Sequence, residues 1–258
     1  MILDNWSRTP KHILRKECIG DAVKDLLPGY FLELGSGNGD LTKFFIEKGF
    51  HGKCYDIGDQ TRQILKQIFS GYEGQVIEII DNLNSLPPED FDYLFAFEVL
   101  EHIRDDTDTL LLWSRYLKIG GKLVLSVPAH MHSFSAEDAA VGHYRRYEKN
   151  NLYQIIKECG YYNIRIYNYG FPLGSLTRRI SILLNQYAER NKKEESPNSG
   201  EQLTMEQKSI LSGIERASLV NRFSFLSKSY LLFPFIWFQK IFYHHDLGDG
   251  YVVVAEKR

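Results

Sequence analysis

The chain has 258 residues and a mass of 30.0 kDa, which fits one large α/β domain or one ordinary domain with an extension. With 43% hydrophobic and 25% charged residues, the composition is that of an average globular protein and excludes a largely disordered, collagenous or multi-span membrane chain. The formal net charge of −2 shows no basic excess, so no nucleic-acid partner is expected.

Cysteine usage and the N-terminus predict the cellular compartment. The three cysteines are odd in number and far apart, so neither a disulfide framework nor a cysteine zinc site is indicated. The N-terminal segment carries Asp4 and several cations where a signal peptide needs an uninterrupted apolar stretch. We therefore expect no export and a reducing, cytoplasmic location.

Short apolar runs alternate with amphipathic stretches between residues 30 and 128, which is the pattern of parallel strands joined by helices. The predicted strands are residues 30–34, 52–57, 75–80, 93–97 and 122–127. Helices are predicted after the first strand, ending at Gly49, and over residues 59–69 and 106–117. The Gly120-Gly121 pair predicts a turn before the fifth strand.

A long polar loop is predicted after Pro128, over residues 130–147, and loops of this length are usually functional or mobile. A helix over 149–159 and a strand over 163–169 follow. The C-terminal part then predicts helices over 173–190 and 204–220, a flexible linker over about 191–201, an aromatic segment over 230–243 and a last strand over 251–255. We therefore divide the chain into a core of residues 1–170 and 246–258 and a helical insert of residues 171–245.

Three alternate glycines, Gly35, Gly37 and Gly39, lie between the first predicted strand and its helix. Such a turn lets the backbone approach a bound group while the helix offers unpaired N–H donors, so a nucleotide-like ligand is expected. Glycine-rich turns also occur for purely local reasons. Asp40 stands where a dinucleotide-binding GxGxxG loop has its third glycine, which argues against NAD.

Two acidic residues follow the next strands at the same expected edge of the sheet. Asp56 comes at the end of the second strand, where a carboxylate accepts hydrogen bonds from both ribose hydroxyls of a nucleotide. Asp81 follows the third strand, within reach of an adenine amino group, although a lone aspartate before a turn is equally a turn former.

These features together resemble the class I S-adenosylmethionine-dependent methyltransferases. The first motif is residues 33–39, and the fourth and fifth strand motifs are similar to residues 91–103 and 117–128, so that the resemblance covers about residues 30–170. It implies an α/β, Rossmann-like, seven-stranded mixed sheet of order 3-2-1-4-5-7-6, with the last strand antiparallel and the helical insert before it. The co-product would be S-adenosylhomocysteine.

The resemblance also implies roles for the residues that match these motifs. Glu33 and Gly35 approach the methionyl end of the cofactor, Asp56 the ribose and Asp81 with Asn82 the adenine, while Glu98 forms part of the cofactor wall. The full expected set of cofactor-binding residues is Glu33, Gly35, Ser36, Gly37, Gly39, Asp56, Ile57, Asp81, Asn82, Glu98 and Val99.

A narrower resemblance involves residues 126–130, Ser135, Asp138 and the Gly142-His143-Tyr144-Arg145-Arg146-Tyr147 loop. These residues look like a branch of bacterial methyltransferases associated with surface-polysaccharide and secondary-metabolite pathways. The resemblance implies a small-molecule or glycan acceptor.

Methyl transfer to a hydroxyl benefits from a general base, and histidine is the natural one near neutral pH. His143, His102 and His130 are the candidates, and His143 is favoured because Gly142 before it and the two arginines that follow make a crowded polar loop. Asp138 is expected to orient one of them, although each imidazole has a capping, packing or solvated alternative. Arg145, Arg146 and Tyr147 are expected to bind the acceptor, the arginines as an anion clamp, or else to pair with local acids. The histidine and carboxylate spacing in the long loop matches no tight metal template, so no metal is expected.

Two further features concern the ends of the chain. Trp6, His12 and Arg15 are candidates for a helix that covers the cofactor, and surface or packing roles fit them equally well. The helices of the insert are expected to form a cap over the acceptor site. Its segment 230–243 is too short, and too interrupted by Pro234, to span a membrane, but its aromatic residues suit the inner membrane face as well as packing or a dimer contact. The oligomeric state is left open.

Two rival functions stay open at this stage. A nicotinamide-dependent oxidoreductase is disfavoured by the GxGxG spacing and by the lack of a recognisable Tyr/Lys or Cys/His pair at a hydride site. The second rival is a noncatalytic cofactor-binding or scaffold protein that docks a membrane or a partner through the insert.

Overall fold

A computed structural model describes residues 9–72, 76–176, 178, 204 and 229–258, the last segment with side chains from residue 232 onward. One seven-stranded sheet organises these residues, in the order β3-β2-β1-β4-β5-β7-β6. The strands are β1 (Tyr30–Leu34), β2 (His51–Tyr55), β3 (Ile77–Ile79), β4 (Phe91–Phe97), β5 (Leu117–Pro128), β6 (Tyr161–Tyr169) and β7 (Gly250–Lys257). The helices are α1 (Pro10–Ala22), α2 (Asp40–Glu47), α3 (Asp59–Ile68), α4 (Asp106–Ser114), α5 (Ala136–Ala140), α6 (Lys149–Glu158) and α7 (Ser229–Ile241).

Strand pairing confirms the predicted fold class. The strands β3, β2, β1, β4 and β5 pair in parallel, with Leu32 opposite both Lys53 and Leu94. β7 runs antiparallel between β5 and β6, with Leu125 opposite Val253. The carboxyl ends of the first five strands therefore meet at one edge of the sheet, where ligands of open α/β sheets bind.

Alternating side chains of each strand build a core on each face of the sheet. Leu32, Leu94 and Leu125 face one core, to which α4 and α6 contribute. Phe31 and Phe95 face the other, where α1, α2 and α3 pack. Because both faces are covered, the central strands are apolar almost throughout, as parallel sheets require.

Several predicted boundaries differ from the structure. β5 starts at Leu117 and passes through Gly120-Gly121, which were expected to form a turn. Gly120 has φ +77°, and the pairing of β5 with β4 shifts register between Phe91 and Tyr93, so the glycines allow an irregular strand. The predicted long loop contains α5, whose first turn is closed by a capping box of Ser135 and Asp138.

The aromatic segment forms α7. Pro234 lies inside this helix, whereas the sequence had suggested that Pro234 interrupts the segment. One side of α7 packs on α1: the Gln239 side chain donates to the Leu14 carbonyl, and Lys240 forms an ion pair with Asp21. The predicted insert helices and the linker lie almost entirely outside the described residues. Within the described part of the chain, no helix combines the length and apolar character needed to cross a bilayer.

Candidate active site

The glycine loop connects β1 to α2 through left-handed backbone. Gly35, Gly37 and Gly39 have φ values of +71°, +53° and +75°, which side chains other than glycine rarely adopt. A Cβ at Gly35 would lie 2.4 Å from Cγ2 of Val99, which follows β4. The loop therefore needs glycine for its conformation and for close approach to β4.

Glu33, near the end of β1, turns its carboxyl group into the protein. It is 2% exposed, and its Oε2 accepts a hydrogen bond from Thr42 Oγ1 at 2.5 Å. Burial raises the pKa of Glu33 to about 7, although hydrogen bonds from Thr42 and Cys54 oppose the shift. The side chain thus fixes α2 against β1 beneath the glycine loop.

Asp56 joins the end of β2 to the glycine loop. Its Oδ2 accepts from the Gly37 N–H and its Oδ1 from the Gly58 N–H, each at 3.0 Å. Burial raises the pKa of Asp56, while these two bonds and Arg62 lower it in part. Each oxygen retains a lone pair that can accept a hydroxyl hydrogen bond.

The residues after β3 are more exposed. Asp81 accepts from Lys66 Nζ at 2.9 Å and from Arg62 Nε at 3.2 Å, and the hydrogen bond from Lys66 makes the largest contribution to lowering its pKa. The Asn82 side chain caps the short helical turn Leu83–Ser85 by accepting from the Asn84 N–H. Asn82 is thus the turn former that the sequence suggested for Asp81.

Glu98, directly after β4, has the left-handed φ of +56°, which is costly for a residue with a side chain. Its Oε1 accepts from Ser126 Oγ and Tyr169 Oη, both at 3.2 Å. Its Oε2 lies 3.4 Å from a guanidinium nitrogen of Arg15 and 3.6 Å from Lys11 Nζ. Through Arg15 and Lys11, α1 therefore reaches the edge of the sheet. Trp6, another residue expected near the cofactor, lies outside the described residues.

A cluster of Glu101, His102 and His143 lies next to this wall. The first two residues belong to the helical turn Leu100–His102, and the His102 and His143 rings are perpendicular with centroids 4.6 Å apart. His143 Nε2 is 3.8 Å from Glu101 Oε1, and its Nδ1 is 3.3 Å from Asp138 Oδ1. The structure thus brings two of the predicted histidines and Asp138 together.

Sequence reasoning missed Glu101, whose side chain is fully buried. Burial, and then the charge of Glu98, raise the pKa of Glu101 well above its usual value. The available signal was its position directly before His102 in an otherwise apolar turn. That position carries no information about His143, 42 residues later in the chain, so the sequence alone did not reveal the cluster.

The carboxylate of Asp138 binds several residues of the long loop at once. It is 3% exposed and accepts from the Ser135 N–H at 2.9 Å and from two nitrogens of Arg146 at 3.0 and 3.1 Å, with Arg178 as a further partner. Burial alone would raise its pKa, but hydrogen bonds from His143 and Arg146 outweigh burial and hold the pKa of Asp138 well below its usual range.

Two of the three expected acceptor-binding residues are engaged inside the protein. Arg146 is 4% exposed and also donates to Asp249 Oδ1 at 3.0 Å, and Tyr147 is 1% exposed and donates to Asp106 Oδ2 at 2.9 Å. Neither side chain is therefore available as an open acceptor clamp. Arg145 pairs with Asp106 at 2.6 Å but keeps 30% of its side chain exposed.

His130 lies with a different set of residues. Its ring nitrogens are 3.7 Å from Glu148 Oε2 and 3.6 Å from Asp246 Oδ1, and its ring contacts that of His132 with centroids 5.3 Å apart. His130 also has a left-handed φ of +64°. It therefore belongs to a second, more exposed group after β5.

Comparisons with known proteins identify the family of the chain. A family model described as a methyltransferase domain matches residues 11–166, more than half of the chain, so the chain belongs to this family. The predicted methyltransferase class and its S-adenosylmethionine cofactor are confirmed at this level. A comparison with curated proteins found no match.

Solved structures share the fold at low sequence identity. A candidate sarcosine dimethylglycine methyltransferase from Galdieria sulphuraria is 14% identical with TM-score 0.58, covering 94% of this chain and 85% of that one. Phosphoethanolamine N-methyltransferase 2 from Haemonchus contortus, in complex with S-adenosyl-L-methionine, is 19% identical with TM-score 0.55. The match covers 94% of this chain and 52% of that one. A SAM-dependent methyltransferase from Archaeoglobus fulgidus is 15% identical with TM-score 0.53, covering 96% and 97%.

We predict that Asp138→Asn lowers the free energy of unfolding by about 3 kcal/mol at pH 7, because the buried Arg146 loses its anionic partner. Since folding lowers the pKa of Asp138, its contribution is present above the unfolded pKa of about 4 and is lost as the pH falls. Urea unfolding at pH 7 and pH 3.5 measures both effects.

The matched control is Asp59→Asn, whose carboxylate is 86% exposed and pairs with Arg62. It should change stability by no more than about 0.5 kcal/mol. Equal stability of the Asp138 and Asp59 variants at pH 7 would contradict a central role of the Asp138 network.

Proposed function

We propose that this protein transfers a methyl group from S-adenosylmethionine to a hydroxyl group of a small-molecule or glycan acceptor. The observation that carries the proposal is the Glu101, His102 and His143 cluster, which lies beside Glu98 at the sheet edge where the glycine loop ends. A metabolite-sized acceptor follows from the loop of residues 142–147, through its resemblance to enzymes of polysaccharide and secondary-metabolite pathways.

The reaction is a direct displacement. A lone pair of the acceptor oxygen forms a bond to the methyl carbon, the C–S bond breaks, and its electron pair stays on sulfur, giving S-adenosylhomocysteine and a methyl ether. The hydroxyl proton leaves to a base. Because the sulfonium is already activated, the protein contributes mainly alignment of donor and acceptor and exclusion of water.

The cofactor half of the site comprises the glycine loop and the ends of β2 and β3. The carboxylate of Asp56, which two backbone N–H groups hold in place, accepts hydrogen bonds from the ribose hydroxyls. The exposed Ile57 side chain and the Asp81-Asn82 pair border the adenine. Glu98 and Val99 form the wall toward the methionyl end, while Glu33 and Ser36 hold the loop in shape.

On the acceptor half, His102 is the proton acceptor that we favour, because its ring is half-buried whereas that of His143 is 4% exposed. Asp138 orients His143 through Nδ1, and His143 in turn packs against His102. Arg145, the more exposed of the two loop arginines, is the acceptor contact in this arrangement.

Cofactor binding is the first test. Titration calorimetry with S-adenosylhomocysteine should give micromolar affinity, reduced by about tenfold or more in Asp56→Ala, because charge-assisted hydrogen bonds contribute about 1.5–3 kcal/mol each. Asp59→Ala, a carboxylate removal on the neighbouring helix α3, should bind normally. NADH serves as the control for an oxidoreductase, and binding of NADH instead would overturn the proposal.

The histidines are tested by turnover. With an identified acceptor hydroxyl, His102→Ala and His143→Ala should each lower kcat by about 100-fold, the lower end of general-base contributions, and leave S-adenosylhomocysteine affinity unchanged. His132→Ala, outside the cluster, is the control. Unchanged kcat in both cluster variants would remove their catalytic role, and absence of turnover with any hydroxyl acceptor would favour the noncatalytic scaffold.

We also propose that the protein is cytoplasmic and makes a peripheral contact with the inner membrane face through α7. Phe233, Trp237 and Ile241 recur every four residues and are 67%, 62% and 53% exposed, so they form one apolar stripe. Such a contact suits a lipid-linked acceptor.

Liposome flotation tests this contact. The parent protein should float with anionic vesicles, and Trp237→Ser should lower the bound fraction several-fold, because an aromatic anchor is lost. Leu111→Ser removes a comparably exposed apolar side chain on α4 and should leave flotation unchanged. Equal flotation of Trp237→Ser and the parent protein would exclude this stripe as the contact.

A further inference from the structure

We propose that Glu101, His102 and His143 bind a divalent first-row metal ion. Each of the three residues offers one ligand atom, and these atoms all lie within 4.8 Å of one another. His143 Nε2 and Glu101 Oε1 are 3.8 Å apart, compared with about 3.4 Å between ligands of a tetrahedral zinc ion at usual bond lengths. Small side-chain rotations therefore suffice to bring this pair onto one ion.

The buried carboxylate of Glu101 is the second, independent observation. Its side chain is fully buried, and neither oxygen accepts a hydrogen bond from another residue in the part of the chain that the structure describes. A buried carboxylate without such partners is costly, and most in native proteins are paired or coordinate a metal. A cation between Glu101 and the two imidazoles satisfies this group.

The surroundings of His143 fit a metal ligand. Metal-binding histidines almost always donate their other ring N–H to a carboxylate or a carbonyl group, which fixes the ring and its tautomer. Nδ1 of His143 faces Asp138 Oδ1 at 3.3 Å, and Asp138 is itself held by Arg146 and Ser135. Nε2 is consequently the nitrogen directed toward Glu101.

The backbone also holds the ligands together. The Tyr144 N–H donates to the Glu101 carbonyl at 2.8 Å, and the His143 N–H donates to the Asp138 carbonyl at 2.9 Å. The first bond ties the turn that carries Glu101 and His102 to the loop that carries His143, and the second holds His143 within that loop. The three ligands are thus positioned before any ion binds, which lowers the cost of assembling the site.

Two imidazoles and one carboxylate suit zinc, iron, cobalt or manganese rather than calcium or magnesium, which prefer oxygen ligands alone. Three protein ligands also leave coordination positions open, as in catalytic rather than structural sites. Resting on the function proposed above, an open position takes the acceptor hydroxyl and lowers its pKa, so that its proton leaves to water before the oxygen attacks the methyl carbon. His102 is then a ligand, and the ion replaces it as the activating group.

The experiment uses tag-free, full-length protein treated with a chelator and then dialysed. Titration with Co²⁺ is followed by visible absorption, and titration with Zn²⁺ by calorimetry, each with S-adenosylhomocysteine present and absent. We expect one ion per chain at the cluster. Glu101→Gln and His102→Gln should each weaken it by at least about tenfold, since loss of an outer-shell partner alone costs about 10- to 100-fold.

The control variant is His132→Gln. His132 belongs to the more exposed group of His130, His132 and Glu148, which is the other set of possible metal ligands among the described residues. Its substitution should leave the stoichiometry and affinity of the cluster unchanged. Metal binding lost in His132→Gln but kept in Glu101→Gln would assign the ion to the exposed group and overturn the proposal.

Absence of Co²⁺ and Zn²⁺ binding in the parent protein would also overturn it. Because His102 is only half-buried, its variant tests the site even if Glu101→Gln fails to fold, as thermal unfolding would reveal. Failure of the proposed function can be distinguished from failure of the metal site, because it would appear as lost S-adenosylhomocysteine binding with metal binding intact.

Discussion

The buried carboxylate of Asp138 is the interaction on which the arrangement of the loop after β5 depends. It lies in a short helix of the loop after β5, yet its partners bring together that loop, the Arg146 guanidinium and, through Arg146, Asp249 next to β7. Within this network each charge is compensated by an opposite one, which is the condition for stable burial of ions. The ring of His143 takes its orientation from the same carboxylate.

The two halves of the candidate site lie on either side of β1, which pairs with β2 on one side and with β4 on the other. Asp56 and the glycine loop lie toward β2, and the Glu98 wall and the histidine cluster lie toward β4 and β5. This is the strand-order reversal at which open α/β sheets bind ligands. A fold of this kind fixes where donor and acceptor meet, whereas the loops decide which acceptor is used.

Local signals in the sequence predicted most strands and helices of the fold and led to the cofactor-binding residues proposed above. The strand periodicity, the three glycines and Asp56 all occur within the short stretch from β1 through α2 to the end of β2, so their pattern can be recognised without tertiary contacts. The strand order came from the family resemblance. The burial of Arg146 depends on Asp249, 103 residues later, and that of Glu101 on a loop about 40 residues away. Such pairings have no local pattern, so the sequence left open whether Arg146 binds an acceptor or pairs with a local acid, and in the structure it pairs with Asp138 and Asp249.

α1 links the surface stripe of α7 to the site. One side of α1 is held by α7, through Gln239 bonded to the Leu14 carbonyl, while Arg15 and Lys11 extend from α1 to Glu98. The Glu98 carboxylate, in turn, is fixed by Ser126 and Tyr169 from β5 and β6. The packing of α7 on α1 is therefore connected to the Glu98 carboxylate at the sheet edge through packed and charged groups, so the position of α1 is set by contacts at both of its sides.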